Sequence, residues 1–343
     1  MANGKLRAGV IGLGLGSNHA YAYDQSSQYD LVGVSEISST VVDSFWDKAK
    51  ISKGSIPVYD DYKQMIEKEN LDVVSVTIPD HLHTAPVCDA SNMGVKGIFC
   101  EKPLCINLED ADLIVETVEK NGTKMAVDHT RSFVPNYQMS RKSIRNGEIG
   151  GLTRIIAHMG GTRAMLFRNG THIVDLINFF ADADPVWVLA VHEQGFEDYG
   201  TEYKGEGGKD PALDPGSTLI IEYANGVRAI LNSAKKTLSL YEIDLIGPNG
   251  RIYCTDKGVT RWLTENNKYE GTPVLDESFT SPGYPEFFGD SLIPAVDELA
   301  DVVINDVETS SPVRRARHTL EIMIGALRSQ AGGNVKIDLP LPR

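Results

Sequence analysis

The sequence predicts an α/β protein. A doubly wound parallel sheet comes first, then an α+β domain with an open, mainly antiparallel sheet. Three observations carry this expectation. Apolar β-rich runs alternate with helix-compatible segments through the first third of the chain, as repeated βα units do. A glycine turn, Gly12-Leu13-Gly14-Leu15-Gly16-Ser17, closes the first of those runs. Near residue 128 the pattern changes to successive strand-like runs, with hairpin signals at Asn225-Gly226 and Asn249-Gly250. The expected domains are 1–127 and 128–343.

The elements follow in order. Strand 6–11 leads into the glycine turn and a helix. Strand 31–35 ends at Glu36, helix 40–50 follows, and strand 56–59 precedes a helix over 61–68 that Asp60 could cap. The run LDVVSVTI, 71–78, has the continuous apolar character of a strand buried on both faces. Helix 85–93, strand 95–100, helix 108–120 and strand 124–127 complete the alternation. In a doubly wound sheet, ligands bind outside the carboxyl ends of the strands. Loops 12–17, 36–39, 78–84, 101–105 and 128–135 therefore carry the chemistry. Beyond them the pattern predicts a helix within 133–146 and strands at 152–158, 186–192, 217–223, 227–233, 241–246 and 251–255. Helix 171–180 interrupts the strands, and helices 295–305 and 314–329 close the chain. Segments 196–216 and 264–290 read as long loops.

The chain has 343 residues, enough for two domains each with its own core. Lys+Arg 33 against Asp+Glu 47 gives a formal charge of −14. So acidic a surface argues against nonspecific nucleic-acid or anionic-membrane binding. No apolar run is long enough to span a bilayer, and MANGKLRAG lacks the apolar core of a signal peptide. Cys88, Cys100, Cys105 and Cys254 form no CxxC pair and read as reduced thiols of a cytoplasmic protein.

Strand, glycine turn and helix in that order form the phosphate-cradling corner of a dinucleotide site. Gly12 allows the sharp turn, and Gly14 lets the backbone approach a pyrophosphate. The helix start offers N–H groups and a positive dipole end. The third glycine of the usual spacing is replaced by Ser17, with Gly16 one residue earlier. Glu36 ends the second strand, where a carboxylate accepts hydrogen bonds from the ribose hydroxyls and repels a 2′-phosphate. A surface glutamate in a turn is the plain alternative. The combination favours NAD over NADP.

Glu101-Lys102-Pro103 follows the fifth strand, so Lys102 stands where a nicotinamide would lie. A lysine there can hydrogen-bond a substrate hydroxyl and stabilise charge on its oxygen. A solvated turn lysine is the alternative. Asp80-His81-Leu82-His83 follows the fourth strand. His83 is a candidate contact, His81 caps the helix or faces solvent, and no metal site is expected, because further ligands at zinc spacing are absent. Asn169-Gly170-Thr171-His172-Ile173-Val174-Asp175 opens a helix. His172 and Asp175 lie on one side of it, and Ile173, Leu176, Ile177 and Phe180 form its apolar face. With an ordinary pKa near ~6.5, His172 suits a general base; a helix-start histidine beside a capping residue is the other reading.

These motifs resemble the Gfo/Idh/MocA oxidoreductases over nearly the whole chain. The matches are VIGLGLGSNHA with His19, Glu36, IPDHLHTAPV, VKGIFCEKPLCINLEDA, DHTRSFVPNY and the close NVKIDLPLP. The resemblance implies a Rossmann domain, NAD(P)-dependent chemistry on sugars, polyols or their derivatives, and a homo-oligomer, dimer or tetramer, built through the exposed face of the second sheet. By position Lys102 corresponds to the family's catalytic lysine and His172 to its catalytic histidine. His83 and Arg131 correspond to residues at the nicotinamide end. Gly12, Gly14, Gly16, Ser17, Asn18, His19, Glu36, Pro79, His83, Glu101, Lys102 and Arg131 are the expected cofactor contacts. Lys102, Arg131, Arg163, Arg168 and His172 are the expected substrate contacts, with Asp175 as partner to the base.

One departure stands out. Many members carry aspartate four residues before the histidine, and here that position is Arg168. Either Asp175 serves as the carboxylate partner, or the relay differs, or Arg168 binds an anionic group of the substrate. The expected activity is hydride transfer between NAD and a secondary alcohol. Rivals are a transient-oxidation enzyme, such as an NAD-dependent glycosidase acting through a 3-keto sugar, and a non-catalytic NAD- and sugar-binding regulator.

Overall fold

A computed structural model describes residues 4–205, 210–264, 273–279, 285 and 288–342. The chain opens with β1 (Leu6–Ile11), α1 (Gly16–Gln25), β2 (Tyr29–Ser35), α2 (Ser39–Ala49), β3 (Val58–Tyr59), α3 (Tyr62–Glu69) and β4 (Val73–Val76). A 3₁₀ turn (Asp80–Leu82), α4 (Thr84–Asn92), β5 (Gly97–Cys100), α5 (Leu108–Asn121), β6 (Lys124–Val127) and a second 3₁₀ turn (Thr130–Phe133) follow. Then come α6 (Pro135–Arg145), β7 (Arg154–Gly160), α7 (Gly170–Ala181), β8 (Pro185–His192), β9 (Ser217–Tyr223) and β10 (Arg228–Ala234). The remainder is β11 (Leu240–Gly247), β12 (Gly250–Thr255), β13 (Gly258–Thr264), β14 (Pro273–Leu275), α8 (Phe288–Asn305), α9 (Val313–Ala331) and β15 (Ile337–Asp338).

Two compact units result: residues 1–133 with 285–317, and residues 134–284 with 318–343. The first therefore takes in α8, a stretch that a contiguous boundary at 127/128 assigns to the second. The reason is packing. Leu292, Ala295, Val296, Leu299 and Ala300 of α8 are buried in one core with Ala20 and Tyr23 of α1 and Val73 and Phe99 of the sheet. Tyr29 donates its hydroxyl to Val296 O at 2.7 Å.

The first unit is the expected doubly wound sheet, parallel throughout, in the order β3-β2-β1-β4-β5-β6. β4 and β5 are buried at every position, because helices cover both faces. The strand expected over 71–78 is shorter at each end. Asp72 turns out to pair with Lys96 at 2.8 Å, and Thr77 gives its hydroxyl to the backbone of the glycine turn. Asp61, not Asp60, caps α3: its backbone is extended and its side chain accepts from Lys63 N–H at 2.9 Å.

The second unit holds a mixed sheet in the order β14-β13-β12-β11-β7-β10-β9-β8-β15, with β10 and β7 parallel and the other pairs antiparallel. β13, β14 and β15 were not expected from the sequence. β13 is half-buried at each position, so it lacks the in–out alternation that marks a strand. β14 lies inside the expected loop 264–290, of which 265–272, 280–284 and 286–287 lie outside the described residues, as do 206–209 of the loop expected at 196–216. α7 is buried at every position but the half-buried His172, and its polar Asp175 and Asn178 are buried with partners. Among the described residues no helix is long and apolar enough to cross a membrane.

Candidate active site and cofactor cradle

Three glycines shape the corner after β1, each for a different reason. Gly12 has φ +86°, in the left-handed region, and donates its N–H to Ser35 O at 2.8 Å. Gly14 is exposed, with no atom within 4 Å of where a Cβ would stand, so the space beside it is open to a ligand. Gly16 begins α1 pressed against the sheet: a Cβ there would sit 2.3 Å from Thr77 Oγ1 and 2.9 Å from Val10 Cγ1. Close helix–strand packing is the task of the third glycine of a dinucleotide fingerprint. Gly16 performs it, and Ser17 is free to bond back to Gly14 O at 3.0 Å. Asn18 closes the same turn onto Leu15 O. No side chain caps the start of α1.

Glu36 stands beside this turn. Its carboxylate accepts the Leu13 N–H and the Ser38 N–H, each at 2.9 Å. It thus locks the glycine turn to the end of β2 and puts a negative charge where a ribose would lie. Uncapped helix start, open space at Gly14 and an acid at the end of β2 together fit an adenine dinucleotide.

The loop after β5 carries Lys102, and buried groups anchor it from several sides. Lys102 N–H donates to Glu101 Oε2 at 3.1 Å, and the Lys102–Pro103 peptide is cis. Glu101 belongs to a buried trio. His19 Nε2 lies 3.5 Å from Glu101 Oε1 and 3.7 Å from Asp128 Oδ2, and His19 Nδ1 lies 3.1 Å from Ser75 Oγ. Thr130 donates to Asp128 Oδ1 at 2.9 Å. Burial pushes the Glu101 carboxyl up, but the adjoining His19 and the Lys102 charge outweigh it and hold it below the usual range. Burial and the Glu101 charge push Asp128 up to about 7. The environment therefore splits two like carboxyls, one ionised and one holding a proton near neutrality.

His83 is buried among backbone carbonyls. Nδ1 lies 3.1 Å from Pro103 O and from Leu104 O, and Nε2 lies 2.8 Å from Ile78 O. It ties the loop after β5 to the end of β4. Pro79 is exposed just beyond that end, and Arg131 is half-buried on the 3₁₀ turn after β6.

In the second unit, Arg163 is exposed and Arg168 half-buried on the segment that leads into α7. His172 lies in the first turn of α7, half-buried, and Asp175 is buried one turn on. Asp175 Oδ1 accepts from Thr319 of α9 at 3.4 Å, Asn178 donates to Thr319 Oγ1 at 2.9 Å, and Tyr223 donates to Asn178 Oδ1 at 2.6 Å. Asp175 thus joins a buried polar chain between α7, α9 and β9.

Ser75, Asp128 and Asp214 lie outside the site residues expected from the sequence. Asp128 had a usable signal, an acid directly after the last parallel strand. Asp214, in a loop of mixed charge, had none.

A family model described as an oxidoreductase family with an NAD-binding Rossmann fold matches residues 6–129. By this match the chain is similar, over its first unit, to the Gfo/Idh/MocA oxidoreductases. Residues 6–129 carry the NAD-binding Rossmann fold that the model describes. The chain is 25% identical over 278 residues to the myo-inositol 2-dehydrogenase of Thermotoga maritima, covering 79% of this chain and 81% of that one. It is 24% identical over 320 residues to the inositol 2-dehydrogenase of Rhizobium meliloti, covering 87% and 90%. A levoglucosan dehydrogenase solved with NADH and levoglucosan superposes with TM-score 0.78 at 16% identity, covering 98% and 100%.

Proposed function

We propose that the whole chain is a Gfo/Idh/MocA oxidoreductase and acts as an NAD-dependent dehydrogenase of a sugar, a polyol or a sugar derivative, oxidising a secondary alcohol. One observation carries the reading. The open glycine cradle and the buried mounting of Lys102 stand at the carboxyl ends of β1 and β5, flanking β4 in one sheet. The inositol 2-dehydrogenase relatives and the levoglucosan dehydrogenase support the substrate class.

When bound, NAD supplies the hydride acceptor. The protein's own residues do the rest. Glu36 receives the ribose hydroxyls and disfavours a 2′-phosphate. Lys102 donates to the substrate oxygen and stabilises its charge as the hydroxyl proton leaves. His172 accepts that proton as general base. Arg131, Arg163 and Arg168 contact the substrate, and Arg168 takes an anionic group. Leu189, Ile220, Ile230 and Ile156, in register across β8, β9, β10 and β7 on the sheet's outer face, supply the self-association surface of a dimer or tetramer. The four cysteines are free thiols, in keeping with a cytoplasmic protein.

The test is a screen of sugars, polyols and sugar acids for NADH formation at 340 nm. Lys102→Ala and His172→Ala should each lower kcat by about 10²-fold or more, the usual scale of acid–base catalysis, while NAD binding survives. Full kcat in His172→Ala across the neutral range would remove the histidine from the mechanism. Turnover without net NADH would replace the dehydrogenase by a transient oxidation.

A further inference from the structure

The segment between β7 and α7 has no strand or helix of its own, yet it delivers Arg168 and His172. Asp214, fully buried in the loop before β9, holds it. Phe167 N–H reaches Asp214 Oδ1 at 3.2 Å and Oδ2 at 3.1 Å, and Arg168 N–H reaches Oδ2 at 3.2 Å. Leu166 N–H donates to Pro215 O at 2.8 Å. Three successive amides are thus fixed by two adjacent residues of a distant loop. Directly beyond, Gly170 N–H folds back onto Met165 O at 2.8 Å and starts α7. The Phe167 ring stacks on Tyr203 with centroids 3.8 Å apart. Lys235 braces the far side, donating to Asp214 O at 2.8 Å and pairing with Glu193.

We propose that Asp214 is a positioning residue: its ionised carboxylate clamps the Phe167 and Arg168 amides, so the placement of Arg168 and His172 follows the protonation of Asp214. The substrate-handling part of this inference rests on the dehydrogenase reading above; the clamp does not. A carboxylate accepts from both amides, whereas a carboxylic acid gives up part of that capacity to its own proton. Burial pushes Asp214 up to about 7, against the lowering effects of the Phe167 and Arg168 amides and of Lys235. The switch thus falls near neutrality. The charged and titratable groups around it are Lys235, Glu193 beside that lysine, Tyr199 and the Arg168 that it holds. Burial and the Asp214 charge push Tyr199 up to about 12, far above the range in which Asp214 changes charge.

The test needs no substrate at its first step. In the unmodified protein, the amide resonances of Phe167 and Arg168 should titrate together with a midpoint near pH 7. Hydrogen exchange at 166–170, corrected for intrinsic rates, should be about tenfold faster at pH 5.5 than at pH 8.5. Asp214→Asn should show the fast exchange at both pH values, and Asp214→Glu should restore part of the pH response. With a substrate that supports turnover, Asp214→Asn should lower kcat about tenfold, leave NAD binding unchanged and abolish the inflection near pH 7. Amides that do not titrate, or an Asp214→Asn enzyme with altered melting temperature but an unaltered kcat profile, would overturn the clamp. Inactivity of the unmodified protein on every alcohol would instead overturn the dehydrogenase reading and leave the amide experiment standing.

Discussion

Gly16→Ala is the sharpest perturbation of the cradle. The new methyl group would stand 2.3 Å from Thr77 Oγ1 and 2.9 Å from Val10 Cγ1. Real atoms do not approach so closely, so Thr77 must turn away. Its hydroxyl then loses Ile11 O at 2.9 Å and Gly12 O at 2.6 Å. Overpacking of this kind costs about 1–3 kcal/mol, and a buried hydroxyl left without its acceptors about 1–3 kcal/mol more. The helix propensity of alanine returns about 0.5–1 kcal/mol. The net loss should be about 1–5.5 kcal/mol, a fall in Tm on the order of 2–20 °C for a unit of this size. NAD binding should weaken about tenfold, because the displaced Thr77 is what fixes the carbonyls of the turn. Circular dichroism on heating and fluorescence titration with NAD measure the two effects. Thr77→Ala removes the closest contact, so the double variant should lose at least about 1 kcal/mol less than the sum of the single losses. Strict additivity, or a Gly16→Ala protein with unchanged Tm, would refute the reasoning.

Three further outcomes follow from features of the site. Glu36→Ala frees the Leu13 and Ser38 amides of their acceptor and should cost about 1–2 kcal/mol of NAD affinity while narrowing the preference over NADP; equal affinities for the two nucleotides in the unmodified protein would contradict this. Asp128 ordinarily titrates near 3.8 and is raised to about 7 in the folded protein. The folded state therefore binds the extra proton between those values, and stability falls as pH rises through that window. Asp128→Asn should flatten this fall, as measured by urea unfolding at pH 4.5 and 7.5; an unchanged difference between the two would contradict it. Arg168→Ala should raise KM for an anionic substrate about tenfold to a hundredfold, the loss of ~1.5–3 kcal/mol of charge-assisted bonding, with little effect on neutral ones; kcat/KM for one substrate of each kind decides it.

Local chemistry made much of the first unit legible. Gly12, Gly14 and Glu36 announce themselves because a tight turn and an acid at a strand end are written in consecutive residues. Apolar runs such as 95–100 read as strands because a strand buried on both faces tolerates little else. Legibility ended where a residue's role depends on a distant partner. His83 reads as a candidate cofactor contact, and only the carbonyls of Ile78, Pro103 and Leu104 around it reveal a tie between loops. Asp175 reads as a partner for His172; its bond with Thr319 lies 144 positions away along the chain. Asp214 is one acid among many in its loop until the amides of Phe167 and Arg168 are seen to converge on it. β13 escaped notice because a uniformly half-buried strand has no period to detect.

The assignment of α8 to the first unit bears on how the chain acquires its structure during synthesis. The core around Ala20, Tyr23 and Phe99 includes Leu292, Val296 and Leu299, which leave the ribosome after the whole of 134–284. Until then the side of α1 that receives α8 has no cover, and the nascent Rossmann sheet is an unfinished body. Closing it requires a contact between residues separated by most of the chain, the kind of pairing that slows folding and prolongs exposure of apolar surface. The intervening 134–284 segment behaves as an insertion that must be threaded into existence before its host is complete. Nucleotide binding thus depends on residues made after the whole of 134–284, not on 1–133 alone.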